Sequence, residues 1–211
     1  DWQETQVVVK AAFPFNLTSD YATYEIACGA IKRTTKPQTK AEQAKWEVPA
    51  LKWADLTDPK QKYGVSLLND CKYGYDSQPD RLRLTLLRSS LWPDPTADKG
   101  IHQFTYTIYP HTNSWELART VHKSYELNLP LQVINVDVIP SKEQQLSPVG
   151  SFLDLSAENL ILMALKPDQE TKDLILRCYE CHGKTSQLYL QGDLDLNIKY
   201  PVDFLERKKT N

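Results

Sequence analysis

The sequence predicts an all-β protein that folds as an antiparallel β-sandwich, with one short helix and a small C-terminal β-sheet domain. Residues 81–86 alternate arginine or threonine with leucine, and residues 193–200 alternate polar with apolar side chains. A period of two is expected where one face of a sheet is buried and the other is wet. Turns that contain Pro, Asp or Gly separate such segments at intervals typical of sandwiches.

The remaining elements follow from the same reading along the chain. Short apolar or β-branched runs between turn residues predict strands at 5–10, 22–28, 65–68, 102–109, 132–138, 159–165, 173–179 and 186–191. One helical pattern interrupts them between residues 115 and 125, where side chains recur at i, i+3, i+7 and i+10 behind a cap at Asn113 or Ser114. We expect this helix to be a short connection.

A polar segment bracketed by prolines predicts a domain boundary. It extends from Pro140 to Gly150 and lacks any strand or helix pattern. Residues 1–140 are therefore predicted to form a β-sandwich portion, residues 141–150 a linker, and residues 151–211 a small C-terminal β domain.

Composition excludes several classes of function. The 211 residues include 25 Lys and Arg against 27 Asp and Glu, a net charge of −2, so the chain lacks the basic field that nucleic-acid binding usually needs. No apolar run approaches the roughly 18 to 20 residues that span a bilayer, so we expect a soluble protein. The four cysteines are too few and too scattered for a disulfide framework, which favours a reducing, cytoplasmic compartment. Since the chain begins at Asp1 without a signal peptide, we expect it to be part of a longer protein.

Two patterns suggest chemistry without establishing it. Cys178, Cys181 and His182 lie close together, but no second ligand pair follows at zinc-finger spacing, and positions i and i+3 of a strand face opposite sides. We therefore predict two buried thiols in a strand and no metal ligand in this chain. The pairs Asp94 with Asp98 and Asp193 with Asp195 could supply the two carboxyl groups of a glycosidase, yet acids are common on loops and wet strand faces. No catalytic residue is predicted from either pair.

The stretch LLNDCKYG, residues 67–74, is the most informative one. An apolar strand-like run breaks there into a carboxylate, a thiol, an ammonium and a phenol, and ends at Gly74. These groups could serve acid–base chemistry, but Asn, Asp and Gly are also the usual residues of a chain reversal. Residue types alone leave a catalytic loop and a simple turn equally open.

Several longer motifs resemble one known family in their order and rough spacing. They are YATYEI at 21–26, WADL at 53–56, YGVSLLNDCKYGYD at 63–76, LLRS at 86–89, PDPTADKGIHQFTY at 93–106, YPH at 109–111 and LRCYECHG at 176–183. Together they resemble the C-terminal region of glycoside hydrolase family 38 α-mannosidases, most of all the cytosolic and bacterial branch. The resemblance extends over nearly the whole chain.

The resemblance implies a modular retaining enzyme of which this chain is only the last part. The fold it implies is a portion of a galactose mutarotase-like supersandwich. In the family, an N-terminal α/β domain carries the zinc ion, its His and Asp ligands and the nucleophilic Asp, and that segment has no counterpart here. We therefore expect no catalytic residue and no cofactor in this chain, with zinc implied for the full-length enzyme. The expected partners are the chain's own N-terminal catalytic domain and a mannose-containing oligosaccharide, and an oligomer remains open.

The resemblance also implies a role for LLNDCKYG. In related enzymes, loops of the β-sandwich region help to wall the sugar pocket, and this stretch resembles such a loop. Asn69, Asp70, Lys72 and Tyr73 are therefore predicted to line the pocket, although a turn closed by Gly74 explains the same residues.

A second loop carries the other predicted wall residues. More distant family members have a basic residue that contacts substrate in a loop similar to that of Lys99, and His102 follows three residues later. Lys99 stands where Arg would be expected, and lysine lacks the planar fork that arginine offers for bidentate contacts.

Two further functions remain alternatives on the sequence alone. An autonomous carbohydrate-binding module would use exposed aromatic rings, which five Trp and eleven Tyr residues allow. An independent enzyme of the mutarotase-like kind would need acids or histidines paired in one cleft. The predicted function is the non-catalytic C-terminal portion of an α-mannosidase.

Overall fold

The computed structural model describes residues 1–135, 147, 149–169, 171, 173–194 and 196–209. The chain divides into two compact units, Asp1–Pro130 and Leu131–Asn211. Antiparallel strands dominate the described residues, which confirms the predicted all-β sandwich class. Most of the predicted linker at 141–150 lies outside the described residues, so the predicted domain limits stay a prediction.

The first unit contains nine strands and two short helices. In chain order they are β1 (Val9–Pro14), β2 (Tyr21–Ile26), β3 (Gly29–Thr34), α1 (Lys40–Gln43), β4 (Val48–Pro49), β5 (Trp53–Thr57), β6 (Tyr63–Asn69), β7 (Gly74–Gln78), β8 (Arg81–Leu87), β9 (Tyr106–Thr112) and α2 (Thr120–Asn128). They form a five-stranded sheet in the order β3-β2-β5-β6-β9 and a four-stranded sheet in the order β1-β8-β7-β4. Every pairing is antiparallel.

The core of the first unit lies between the inner faces of the two sheets. Its buried residues are Leu17, Ala22, Tyr24, Ala50, Ala54, Leu56, Val65, Leu67, Tyr75, Leu82 and Leu84. Along β5 and β6 these core positions are every second residue, as the pleat requires. Tyr24 and Tyr75 meet edge to face with ring centroids 6.2 Å apart. The two sheets therefore interlock as a sandwich.

Helix α2 forms a third layer on the outer face of the five-stranded sheet. Thr120, Val121 and Ser124 of this helix are buried. The preceding turn adds Trp115, whose ring centroid lies 5.0 Å from that of the fully buried Trp53 on β5. β5 and β6 are consequently covered on both faces, which explains why both strands are almost continuously buried.

The described part of the second unit contains an antiparallel pair. β10 (Leu160–Pro167) pairs with β11 (Leu174–Glu180), with an irregularity between Leu162 and Ala164. Ile161 and Ile175 are buried, together with Leu155 and Cys181. Within the described ranges of the whole chain, none of the helices is long and apolar enough to cross a membrane.

Several predicted elements are shifted or missing. The predicted strands at 5–10 and 102–109 instead occupy 9–14 and 106–112, and the predicted helix begins at Thr120 because residues 115–119 form a turn. Helix α1, which begins at a capping box of Thr39 and Glu42, was not predicted.

The predicted strands at 186–191 and 193–200 were wrong for the residues that the structure describes. Only an isolated bridge between Asp154 and Gln191 forms there. Alternating residues make a strand only where a neighbouring segment pairs with their backbone groups, and the described residues of 196–200 have no such ladder. Residues 132–135 are not a strand either, while 136–138 lie outside the described residues.

Candidate functional site

A cleft of about 280 Å³ opens beside the loop that joins β6 to β7. Three predicted wall residues, Asn69, Asp70 and Tyr73, line it. The other lining residues are Leu51, Lys52, Cys71 and Asn128. Lys72, the fourth predicted residue of this loop, does not line the cleft. The structure thus brings most of the loop's polar residues to one concave surface.

Asn69 organises the loop from within. Its side chain is buried, and its amide oxygen accepts hydrogen bonds from the backbone N–H groups of Cys71 and Lys72 at 3.0 and 2.5 Å. This is the Asx arrangement by which asparagine turns a chain. Its amide nitrogen donates to the carbonyl oxygen of Leu51 at 3.2 Å and to the Tyr75 hydroxyl. Both ends of the Asn69 amide are therefore occupied by the chain's own groups.

Asp70 is exposed but held in place. Its backbone N–H donates to the Thr105 carbonyl at 3.2 Å, and its carboxylate accepts from the Thr105 N–H at 2.9 Å. Burial opposes ionisation, but hydrogen bonds from the Cys71 thiol and from Thr105 outweigh it and hold the pKa of Asp70 below its ordinary value. Burial and the neighbouring carboxylate raise the pKa of the Cys71 thiol. At neutral pH the loop presents one carboxylate and one neutral thiol.

Lys72 and Tyr73 have different surroundings. The Lys72 ammonium lies 4.8 Å from the centroid of the Phe104 ring, a cation–π contact. Tyr73 is 62% exposed, while its carbonyl oxygen accepts from the Ala50 N–H at 3.0 Å. A fixed backbone therefore carries a free aromatic face at the rim of the cleft.

Lys52, immediately before β5, forms part of the cleft wall. Its ammonium donates to the Glu25 carboxylate at 2.7 Å and lies 4.4 Å from the centroid of the Tyr125 ring. The same carboxylate accepts from the Lys52 backbone N–H at 2.6 Å, and Glu25 is almost fully buried. The position of this cation is therefore fixed before any ligand arrives.

The second predicted loop is built around Asp98. Its carboxylate accepts from the backbone N–H groups of Arg88 and Ser89 at 3.2 and 2.6 Å, and its carbonyl oxygen lies 2.8 Å from Nε2 of His102. Lys99 is exposed, and neither it nor His102 lines the cleft. His102 is thus engaged in holding its own loop. The pocket role predicted for Lys99 and His102 stays a prediction.

A buried polar cluster on β5, β6, β9 and α2 was missed by sequence reasoning. The Asp55 carboxylate accepts from Ser66 Oγ at 2.8 Å and from Thr57 Oγ1 at 2.5 Å, and lies 2.8 Å from His111 Nε2. Ser66 Oγ also lies 2.8 Å from Thr120 Oγ1. The carboxylate stands between the serine and the histidine, so this cluster lacks the serine–histidine hydrogen bond of a catalytic triad.

Gly64 makes room for that cluster. It pairs with His111 on one side and with Thr57 on the other, and a Cβ atom at Gly64 would lie 2.6 Å from His111 Cε1. The imidazole therefore crosses β6 directly over the glycine to reach Asp55. A glycine inside an apolar strand was the one sequence signal of this approach.

The remaining candidates serve local structure. Asp94 accepts hydrogen bonds from the Thr96 N–H and hydroxyl, which lower its pKa. Asp195 lies outside the described residues, so the pair Asp193 with Asp195, from which no catalytic residue was predicted, is not tested.

The cysteine motif differs in part from its prediction. Cys178 is half-buried on β11, whereas Cys181 is buried just beyond the end of that strand. Within the described ranges there is no group of three or more His, Cys, Asp or Glu side chains that could hold a metal ion. Zinc therefore has no fitting ligand set among these residues.

Two family descriptions and several known proteins match this chain. Residues 1–96 match the model of the glycosyl hydrolases family 38 C-terminal domain, and residues 159–211 match that of the family 38 C-terminal beta sandwich domain. The chain is 35% identical to human alpha-mannosidase 2C1 over 98% of its length, which is 19% of that protein. It is 34% identical to an alpha-mannosidase of Saccharomyces cerevisiae over 99% of its length, which is 20% of that protein. The chain thus spans about a fifth of these curated relatives.

The fold also has a solved counterpart. The crystal structure of an alpha-mannosidase from Enterococcus faecalis V583 superposes with a TM-score of 0.74 at 17% identity. The match covers 88% of this chain and 21% of that one. At this identity the likeness concerns the fold alone.

Proposed function

The chain belongs to the C-terminal region of glycoside hydrolase family 38, and from that premise we propose that it is the non-catalytic C-terminal portion of a retaining α-mannosidase. In this proposal the whole protein hydrolyses terminal α-mannosides in the cytoplasm. The chain supports a separate catalytic domain and contributes one wall of the sugar pocket. All four of its cysteines are free, which is consistent with a reducing compartment.

The observation that carries the proposal is the cleft beside loop 69–73. The loop is tied by buried hydrogen bonds of Asn69, so the cleft exists without a ligand. Its rim offers the exposed ring of Tyr73, and its lining offers the carboxylate of Asp70. An aromatic face beside a few fixed polar groups is what a pyranose requires for orientation.

The chain's own residues would bind and orient the sugar without taking part in bond cleavage. The Tyr73 ring would pack against a sugar face, and the Asp70 carboxylate would accept a hydrogen bond from a sugar hydroxyl. The two oxygens of that carboxylate allow such a bond in addition to the one from Thr105. Since the described residues do not fit a zinc site, no step assigned to this chain passes through the metal.

Replacing Tyr73 by alanine in the complete enzyme tests the proposal. We expect kcat/KM for an aryl α-mannoside to fall by roughly three- to a hundredfold, through lost positioning, while the thermal unfolding temperature stays nearly unchanged. Tyr21→Ala is the matched control, because Tyr21 is 59% exposed on β2 and outside the cleft. Equal kcat/KM for Tyr73→Ala, Tyr21→Ala and the unmodified enzyme would refute the proposed role of Tyr73 in the wall of the sugar pocket.

An autonomous carbohydrate-binding module is the second candidate. Trp46 and Trp92 are 83% and 84% exposed, and exposed indole rings commonly stack on sugars. Titration calorimetry of the isolated chain with mannose and mannobiose separates the two functions. A saturable isotherm would favour the module, whereas the pocket-wall proposal expects little or no heat of binding.

A further inference from the structure

Helix α2 is attached at both ends to the single strand β6. At its start, Thr120 Oγ1 lies 2.8 Å from Ser66 Oγ, and at its last residue, Asn128 Nδ2 donates to the Asn69 carbonyl at 3.1 Å. A rise of about 1.5 Å per helical residue separates Thr120 from Asn128 by about 12 Å. The matching span of strand is about 10 Å at about 3.3 Å per residue. The two lengths agree, so the helix cannot slide along β6 without breaking one attachment.

In the hydrogen bonds at Thr120, each donor and each acceptor can be assigned. Thr120, Ser66 and Asp55 are all essentially inaccessible to solvent. Ser66 Oγ donates its single proton to the Asp55 carboxylate, so Thr120 must donate to Ser66. The two hydroxyls thus form one ordered chain of hydrogen bonds that ends on the buried side chain of Asp55. Water cannot replace a member that is lost, because the site is closed.

This attachment helps to hold the start of α2, together with the hydrogen bond that the Tyr109 hydroxyl donates to the Ala118 carbonyl at 3.0 Å. The residue before the helix, Arg119, has a left-handed backbone with φ of 57° and makes no side-chain cap hydrogen bond to the helix. The first turn therefore lacks the usual N-terminal cap. At this N-terminal end, the Thr120 hydroxyl instead ties the helix to Ser66 of β6.

The other end of α2 reaches the cleft. Asn128 lines the cleft and bonds the carbonyl of Asn69, the residue whose side chain forms the turn of loop 69–73. The Asn128 amide also donates to the Ser124 carbonyl at 2.8 Å, which fixes its direction. One turn earlier, Tyr125 covers the Lys52 ammonium. A displacement of α2 would therefore disturb contacts on two sides of the cleft, at Asn69 and at Lys52.

We propose that Thr120 is a positioning residue for the cleft: through α2 it holds Asn128 on the Asn69 carbonyl and so keeps loop 69–73 in place. Thr120 itself lies away from the cleft lining. The inference does not rest on the proposed sugar contact, because the order of the loop is measurable without any substrate.

Amide hydrogen exchange of the full-length protein tests this role. Thr120→Val keeps the shape of the side chain and removes the hydroxyl. We expect the amides of residues 69–72 to exchange about two- to tenfold faster, the effect of weakening one hydrogen bond on a local opening. Thr120→Ser retains the hydroxyl and should restore protection. Thr120→Ala is the second variant if the valine side chain prevents folding.

Thr35→Val is the matched control. Thr35 is also buried in the first unit, and its hydroxyl also donates one hydrogen bond, to the Ser19 carbonyl at 2.6 Å, which is outside α2. This variant should lower stability comparably while leaving exchange at 69–72 unchanged. Equal acceleration at 69–72 in Thr35→Val would show a general loss of stability and overturn the proposal. Unchanged exchange at 69–72 in both Thr120→Val and Thr120→Ala would overturn it as well.

A double variant tests whether Thr120 acts on loop 69–73 through Asn128. If Thr120 acts through the Asn128 contact, Thr120→Val should add little acceleration at 69–72 once Asn128→Ala is present. If the accelerations of the two single variants multiply in the double variant, Thr120 acts on the loop by a route other than Asn128. The proposal that it acts through α2 would then be refuted. Coupled effects, with exchange restored in Thr120→Ser, support it.

Discussion

Replacing Asn69 by alanine should destabilise the first unit more than any other single change in the loop. The variant loses two hydrogen bonds that the amide oxygen accepts, from the N–H groups of Cys71 and Lys72, and two that the amide nitrogen donates. The carbonyl of Leu51 and the hydroxyl of Tyr75 also lose a buried donor. At about 0.5 to 1.5 kcal/mol for each net hydrogen bond, the four lost bonds give an expected loss of about 2 to 6 kcal/mol.

Thermal unfolding measures this loss directly. For a protein of this size, 1 kcal/mol corresponds to about 2 to 4 °C, so the unfolding temperature of the first unit should fall by roughly 4 to 24 °C. Asn16→Ala is the control, because Asn16 is exposed just after β1 and does not line the cleft. We expect its effect to stay within about 0.5 kcal/mol.

One result would refute the reasoning about Asn69. If Asn69→Ala lowered the unfolding temperature no more than Asn16→Ala does, the buried hydrogen bonds of the loop would contribute nothing net. The loop would then be held by its backbone hydrogen bonds, including those with Thr105, Ala50 and Asn128.

Two further predictions concern the strand glycine and a carboxylate of the second unit. Gly64→Ala should cost about 1 to 3 kcal/mol in denaturant unfolding because the new Cβ would displace His111, whereas Gly29→Ala, whose nearest neighbour lies 3.8 Å away, should be almost neutral. For Glu180, burial is outweighed by hydrogen bonds from the His182 N–H, the Asn159 side chain and the Lys184 N–H, so its pKa is lowered in the folded protein. Its stabilisation is therefore present above the ordinary glutamate pKa of about 4.3 and is lost as pH falls through the folded-state value, so Glu180→Gln should flatten the acid limb of unfolding curves recorded from about pH 6 to pH 3. An unchanged acid limb would contradict this assignment.

Sequence reasoning predicted the elements whose environment is local. The alternating leucines of residues 81–87 formed β8, because a strand with one buried face leaves a period of two in the sequence. The equally regular segment at 196–200 did not form a strand, because pairing depends on a partner that the segment's own residues do not specify. Strand β5 was not predicted, because α2 covers its outer face. Burial on both faces removes the alternation of polar and apolar residues that predicts a strand.

The candidate site could be predicted only in part for the same reason. The turn residues and the family resemblance indicated loop 69–73, and three of its residues line the cleft. Lys52 and Asn128 were missed because only the tertiary fold brings β5 and the end of α2 to that loop. The Asp55 cluster was missed because it depends on the register of three strands.

The surroundings of Cys71 determine how readily its thiol is oxidised. The thiolate is the form that reacts with oxidants and alkylating reagents, and the thiol of Cys71 is kept protonated by burial and by Asp70. An exposed sulfur at this position therefore reacts more slowly than its accessibility alone would give. The raised pKa lowers the thiolate fraction of Cys71, so sulfenic acid and mixed disulfides are expected to form more slowly there than at a cysteine with an ordinary pKa.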